Sequence, residues 1–475
     1  MRSPSTILAI GCVAGVLVGL ALLGPAAGDA RAGEEKFTFG RFGTVTVYRP
    51  SERPAQVVLF VSGDGGWNLG VVDMARELAG LDALVVGIDI THYLRELAKG
   101  PEKCSYPASD FEDLSQFVQK KMALPSYSPP VLVGYSSGAT LVYAVLVQSP
   151  PNTFRGALSL GFCPDLPLTK PLCRGSGLEW APGPKGKGVV FQPASHLSAP
   201  WVAFQGTIDQ VCDPAATEAY VQRVKGGEIV VLPHVGHGFS VPRNWMPQFR
   251  DAFRRLVARP QETRVADAAD VRGLPLVEVP ASGPETDTLA VIVSGDGGWA
   301  GIDRSLGEAL AGRGVPVVGL NSLQYFWTAR TPETAAADLG RLLRHYLAAW
   351  GKKRALLVGY SLGAEVLPFL VTRLPAELRG AVRSVALLGP STTADFEFHV
   401  GYWLGGGPSA ASLPVLPEVQ KLKGLRVLCV YGDEEKDSVC PRLPAGLADV
   451  QVLPGAHHFG GNYTAIADRI LREAL

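Results

Sequence analysis

The chain has 475 residues, with Lys plus Arg balancing Asp plus Glu at 44 each. A net charge of zero offers no basic surface for nucleic acid and no broad electrostatic attraction to a membrane. With 47% hydrophobic residues, 55 glycines and 37 prolines, the composition excludes a disordered chain and fits a loop-rich globular α/β protein.

The first stretch reads as an export signal. Arg2 gives a short positive start, 7–23 is apolar, and Ala30-Arg-Ala32 offers a small-residue cleavage site, so 1–32 is expected to be a signal peptide. The apolar run is long, which leaves an uncleaved anchor as the alternative. Leu8-Ala-Ile-Gly-Cys12 resembles a lipoprotein box, although few apolar residues precede Cys12. Each reading exports the protein, and a periplasmic location is expected. The other cysteines (Cys104, Cys163, Cys173, Cys212, Cys429, Cys440) then lie where disulfides are permitted. Cys163 and Cys173 are close enough in sequence to pair across a loop. No C-x-x-C pair points to zinc, and no metal or cofactor is implied.

After the signal, 37–48 alternates as an edge strand does, and 56–62 is a buried apolar run ending in the loop Gly63-Asp-Gly-Gly-Trp67. A helix over 72–79, a strand over 84–88 and a helix over 110–122 follow. A short apolar run then stops at Gly134-Tyr-Ser-Ser-Gly138, and a helical pattern continues to 148. Strands over 156–160, 201–204 and 228–232 and a helix over 248–257 complete the unit. Strands alternating with helices predict a mostly parallel sheet with helices on both faces. The charged, alanine-rich stretch 259–272 reads as a linker.

The unit then repeats. Val61-Ser-Gly-Asp-Gly-Gly-Trp67 recurs letter for letter as Val293-Ser-Gly-Asp-Gly-Gly-Trp299, and the serine motif recurs as Gly359-Tyr-Ser-Leu-Gly363. The offset of roughly 220–230 residues is the size of a whole α/β domain. The expected organisation is two tandem α/β-hydrolase-like domains, 33–258 and 273–475. In the second copy, Pro368 is expected to kink or end the helix after the serine. Each copy carries an insert, 162–200 and 390–423. The second, with Phe396, Phe398, Tyr402 and Trp403, reads as a substrate cap over the carboxyl ends of the strands.

Gly-x-Ser-x-Gly between a strand and a helix is the context of a nucleophile elbow. The serine sits on a tight turn, and the helix N-terminus beneath it favours developing negative charge. A hydroxyl nucleophile needs a base oriented by an acid, and in this fold both follow the serine. The first copy offers Ser136, Asp209 and His237. The second offers Ser361, Asp437 and one of two adjacent histidines. Asp437 is chosen over Asp433, Glu434 and Glu435 because only it shares the Asp-x-Val-Cys context of Asp209. Gap-free counting from Pro233 and Pro454 pairs His237 with His458, while counting back from Phe239 and Phe459 pairs it with His457. His458 is favoured, with His457 as the alternative. The Ser-Gly-Asp-Gly-Gly-Trp loop stands where such hydrolases place an oxyanion donor. Backbone N–H groups of Asp296, on the loop of Gly295, and of Leu362, just after the elbow serine, are assigned in the second copy, and those of Asp64 and Ser137 in the first. Acids gather near the second site. Asp296, Glu365, Asp395 and Glu397, with His399 and Trp299, are expected to contact substrate, the carboxylates facing a cation.

The Ser-Gly-Asp-Gly-Gly-Trp loop, Gly-Tyr-Ser-Leu-Gly, Asp395-Phe-Glu-Phe-His399, Tyr431-Gly-Asp-Glu-Glu-Lys-Asp437 and Pro454-Gly-Ala-His-His-Phe459 together resemble the AcvB/VirJ family of bacterial virulence proteins. The match covers the whole second copy, and the tandem arrangement behind an export signal is similar to the AcvB type. The resemblance implies a periplasmic hydrolase of aminoacylated phospholipid at the membrane surface, lysyl-phosphatidylglycerol in particular. It also implies type IV secretion components as partners. Such proteins are expected to carry a degraded first elbow, yet here Ser136, Asp209 and His237 all stand. A binding protein that retains the fold, or an esterase of another substrate class, is the alternative reading.

Overall fold

A computed structural model describes residues 33–100, 102–399 and 411–474. The expected signal peptide, Cys12 and the cap residues Tyr402 and Trp403 lie outside the described residues. Among those described, no helix is long and apolar enough to cross a membrane.

Two eight-stranded sheets repeat one topology. In the first, the order across the sheet is Gly33–Phe39, Gly43–Arg49, Ala83–Ile88, Gln56–Val61, Val131–Tyr135, Gly156–Leu160, Trp201–Gly206, Gly227–Leu232. The first two strands are antiparallel and all later pairings are parallel, apart from the antiparallel seam between Gly43–Arg49 and Ala83–Ile88. Ala83–Ile88 and Gly156–Leu160 are buried at every position, as parallel strands covered on both faces must be. Helices Leu69–Ala79 and Met246–Ala258 pack on one face, and Pro107–Lys121 and Ser137–Gln148 on the other. The second sheet follows the same order, with Arg354–Tyr360 at its centre. This is the α/β-hydrolase arrangement, present twice.

Three expectations change. The stretch read as a linker supplies the second sheet's edge strand, Arg264–Val265, which pairs with Pro275–Val279, and it buries Val271 in the second core. A two-residue edge strand carries too little apolar pattern to register in sequence. Helix Leu362–Thr372 runs through Pro368 instead of ending there. It is buried on nearly all sides, and that packing outweighs the one backbone hydrogen bond Pro368 cannot make. The disulfides are Cys104–Cys173, Cys163–Cys212 and Cys429–Cys440, so Cys163 does not pair with Cys173.

The domains are packed together. Trp327 of the second domain donates its indole N–H to the Leu124 carbonyl of the first at 2.7 Å, and joins Tyr127, Leu323 and Phe398 in a shared apolar cluster. Asn152 of the first domain bridges to Glu262 and to the Trp299 carbonyl.

Candidate active site

Both serines occupy the strained conformation of an elbow: φ is 55° at Ser136 and 52° at Ser361. Each closes a buried central strand and opens a helix, Val131–Tyr135 into Ser137–Gln148 and Arg354–Tyr360 into Leu362–Thr372. Positive φ costs a residue with a Cβ of order 1–3 kcal/mol and marks functional sites. The glycines are steric necessities. A Cβ on Gly363 would stand 2.0 Å from the carbonyl oxygen of Val293. The Gly-Asp-Gly-Gly loops approach closely: a Cβ on Gly63 would touch the Ser136 Cβ at 3.0 Å, and one on Gly295 the Ser361 Cβ at 3.4 Å. Asp64 and Ser137 therefore flank the first serine, and Asp296 and Leu362 the second.

In the first domain the three side chains form one hydrogen-bonded chain. His237 Nδ1 lies 2.9 Å from Asp209 Oδ2, and its Nε2 lies 2.9 Å from Ser136 Oγ. The buried Asp209 is fixed through its other oxygen by the backbone N–H groups of Val211 and Cys212. Cys212 is in turn tied to Cys163. Asp209, Cys212 and His237 are near enough to suggest a metal centre, but the Cys212 sulfur is already committed to its disulfide.

The second domain differs from the sequence expectation in both base and acid. His457, not His458, meets a carboxylate, and that carboxylate is Glu435, not Asp437: His457 Nδ1 lies 2.5 Å from Glu435 Oε1. Glu435 Oε2 accepts the backbone N–H of Gly432 at 2.6 Å. His458 turns toward Tyr360, its Nδ1 3.4 Å from the phenol oxygen, and is not among the residues lining the cavity. Asp437 lies exposed at the cavity rim, with no histidine partner. Glu435 and Asp209 each stand three residues beyond a strand-ending glycine, Gly432 and Gly206. A Cβ on Gly389, at φ +64°, would sit 2.8 Å from His457 Cε1, so glycine there makes room for the ring. Among the described residues the Ser361 hydroxyl has no hydrogen-bond partner. It nevertheless lines one cavity of about 420 Å³ together with His457, Leu362, Asp296 and Glu365.

The elbow tyrosines went unnoticed in the sequence. Tyr135 donates its hydroxyl to the carbonyl oxygen of His237 at 3.0 Å, and Tyr360 does the same to His457 at 3.3 Å. The shared Gly-Tyr-Ser was the available signal.

Of the residues expected to contact substrate, Asp296, Glu365, Asp395, Glu397 and His399 line the second cavity. Trp299 does not: it is 1% exposed and packs beneath its own loop against Gly307 and Gly319, a core pillar matched by Trp67 against Gly87. Burial raises the Asp296 carboxyl, against His457 and the backbone N–H groups of Asp296 and Gly297. Burial pushes Glu365 up to about 7, opposed by the hydroxyl of Ser391, which donates to it at 2.6 Å. His457 faces burial, which lowers it, but its contact with Glu435 and the nearby Asp296 and Glu365 carry it above the ordinary imidazole value. His458 is lowered by burial and by its neighbour His457.

These shifts set a sign. Glu365 is charged only above about pH 7, so binding of a cationic ester strengthens as pH rises through neutrality. We expect KM for such an ester to fall several-fold between about pH 6 and pH 8. In Glu365→Gln the KM profile should flatten, with Asp296 left in the same cavity. A wild-type KM that ignores pH over this range overturns the Glu365 role.

The family described as bacterial virulence protein (VirJ) matches residues 55–158 and 287–474 of the chain. Comparison with curated proteins returns no significant match. Among solved structures, Est1E from Butyrivibrio proteoclasticus is similar at 11% identity and a TM-score of 0.33, over 48% of this chain and 100% of that one. An alpha-beta serine hydrolase homologue from Coxiella burnetii is 18% identical, with a TM-score of 0.31, over 48% of this chain and 97% of that one. XC6422 from Xanthomonas campestris, titled a member of a/b serine hydrolase without lid, is 18% identical at a TM-score of 0.31, over 48% and 96%.

Proposed function

Because this chain belongs to the VirJ family of bacterial virulence proteins, we propose that it is an exported serine hydrolase that cleaves the aminoacyl ester of a membrane phospholipid, lysyl-phosphatidylglycerol or a close relative. The observation that carries the hydrolase reading is the hydrogen-bonded chain Ser136–His237–Asp209. Serine attacks the ester carbonyl as histidine takes its proton. The backbone N–H groups of Asp296 and Leu362, or of Asp64 and Ser137, hold the oxyanion. The histidine then protonates the departing glycerol oxygen. A water, deprotonated by the same histidine, attacks the aminoacyl-enzyme carbonyl, releasing the free amino acid and restoring the serine. In the second domain His457 is the base and Glu435 its orienting acid. The aminoacyl lipid assignment draws support from the family and from the acids around Ser361: an α-ammonium beside the scissile ester gives Asp296 and Glu365 a partner.

The unbonded Ser361 hydroxyl favours one second reading, in which the first domain catalyses and the second only holds the substrate. Location in the periplasm draws on the N-terminal export signal and the family, and partnership with type IV secretion components on the family alone.

A fluorophosphonate probe tests the chemistry. Wild type should be labelled at both serines, each single variant, Ser136→Ala and Ser361→Ala, at one, and the double variant at neither. Label confined to Ser136 supports the second reading, and label persisting in the double variant overturns both. Release of free lysine from lysyl-phosphatidylglycerol vesicles then tests the substrate.

A further inference from the structure

The helix Pro107–Lys121 belongs to the first domain, yet its end reaches the wall of the second domain's cavity. Lys120 Nζ donates to the backbone carbonyl of Trp327 at 2.6 Å and to Glu397 Oε1 at 3.0 Å. It also lies 5.2 Å from the centroid of the Trp327 ring. A carboxylate, a carbonyl and an indole face make a complete receptor for an ammonium, and a protein lysine fills it. The receptor is braced from both sides, since Trp327 stacks on Phe398 at 5.5 Å and bonds to Leu124 of the first domain.

Glu397 and Phe398 line the same cavity as Ser361 and His457. Several acids of that cavity are already engaged. Glu435 holds His457, Asp395 accepts from Ser412, and Glu365 accepts from Ser391. Glu397 is the one held by a cation from the other domain. The same helix carries Glu112, which burial, with Asp113 and Asp296 adding, pushes up to about 8. Neither Glu112 nor its neighbour Asp113 lines this cavity, so the contact the helix makes with its wall is that of Lys120 on Glu397.

We propose that Lys120 of the first domain sets the charge selectivity of the second domain's cavity by neutralising Glu397 in its wall. The inference rests on the hydrolase reading above. With Lys120 in place, recognition of a substrate cation falls to Asp296 and Glu365. Without it, Glu397 adds an unbalanced negative charge, and a dicationic aminoacyl group gains over a monocationic one. The pair keeps some contact with solvent, at 24% and 36% side-chain exposure, so the effect is screened but not abolished.

The test uses full-length protein carrying Ser136→Ala, so that only the second site turns over. Lysyl and alanyl esters of the same phosphatidylglycerol are compared by kcat/KM. Lys120→Met should raise the lysyl-to-alanyl ratio about three- to tenfold at low salt, with the gain shrinking as salt is added. Lys120→Arg should keep the ratio within about twofold of the parent, and Lys120→Met with Glu397→Gln should return it there. Equal loss on both esters, or a ratio that Glu397→Gln does not restore, overturns the proposal and leaves Lys120 a brace. An unchanged ratio with both esters still cleaved overturns this inference alone. If the Ser136→Ala chain cleaves neither ester, catalysis by the second domain falls and this inference with it.

Discussion

In a Ser136→Ala background, His457→Ala should lower ester turnover by about three orders of magnitude or more, whereas His458→Ala should stay within a few-fold of its parent. The two histidines are neighbours in sequence, but only His457 reaches both a carboxylate and the cavity that holds Ser361. The His458 ring faces Tyr360, and His458 is not among the residues lining the cavity of Ser361. The acids should divide in the same way. Glu435→Gln keeps the shape of the side chain but removes the charge that stabilises an imidazolium and fixes its tautomer, so a loss of about 10²–10⁴-fold is expected. Asp437→Asn, at the exposed rim, should cost little. Steady-state kinetics on one aminoacyl ester decides all four. The reverse ranking within either pair would return the site to the arrangement read from sequence.

The second large effect is on stability. Gly363→Val would place a Cβ 2.0 Å from the Val293 carbonyl oxygen and 2.7 Å from that of Ser294. These are backbone atoms at the end of a buried strand, so no side chain can swing aside. Relief requires lifting the elbow helix off the sheet, and the cost should be at the upper end of overpacking, about 3 kcal/mol or more. Gly380→Ala is the control. It lies in helix Ala376–Ala381 with no atom within 4 Å of the new Cβ, and should be neutral or stabilising by a few tenths to about 1 kcal/mol. Urea unfolding followed by far-UV circular dichroism reads both. If Gly363→Val unfolds at the wild-type urea concentration, the close approach of helix and strand is wrong.

The residues that were legible in the sequence are those whose role demands a fixed local geometry. The elbows, the Gly-Asp-Gly-Gly loops that approach them and the first copy's Asp209 and His237 could be read because a glycine spacing or a strand end dictates each. Glu435 was missed because the search was anchored on the cysteine. Between acid and cysteine the second copy holds two more residues than the first: Asp209 precedes Cys212 by three, and Glu435 precedes Cys440 by five. Anchoring on Gly206 and Gly432, where the backbone is pinned in the sheet, finds both acids at the same step. The histidine follows the same logic. Phe239 and Phe459 share a positive φ, 47° and 50°, and the ring that matters stands two residues before each. The reach of Lys120 into the other domain left no trace in the sequence, because packing between domains has no local period.

The cysteine pairing of the first domain bears on how the protein is made. Cys104 joins Cys173 and Cys163 joins Cys212, so the two closed loops interleave and neither bond links consecutive cysteines. Were the chain to enter an oxidising compartment from its N-terminus, Cys104 and Cys163 would arrive before Cys173 and Cys212, and oxidation in order of arrival would tie Cys104 to Cys163. That crosslink must be exchanged before Cys212 can brace the loop that carries Asp209. On that order of arrival, reaching the two native bonds requires thiol–disulfide exchange as well as oxidation. A host that supplies an oxidant but no disulfide isomerase should accumulate chains of the correct mass in which the hydrogen-bonded chain Ser136–His237–Asp209 never assembles.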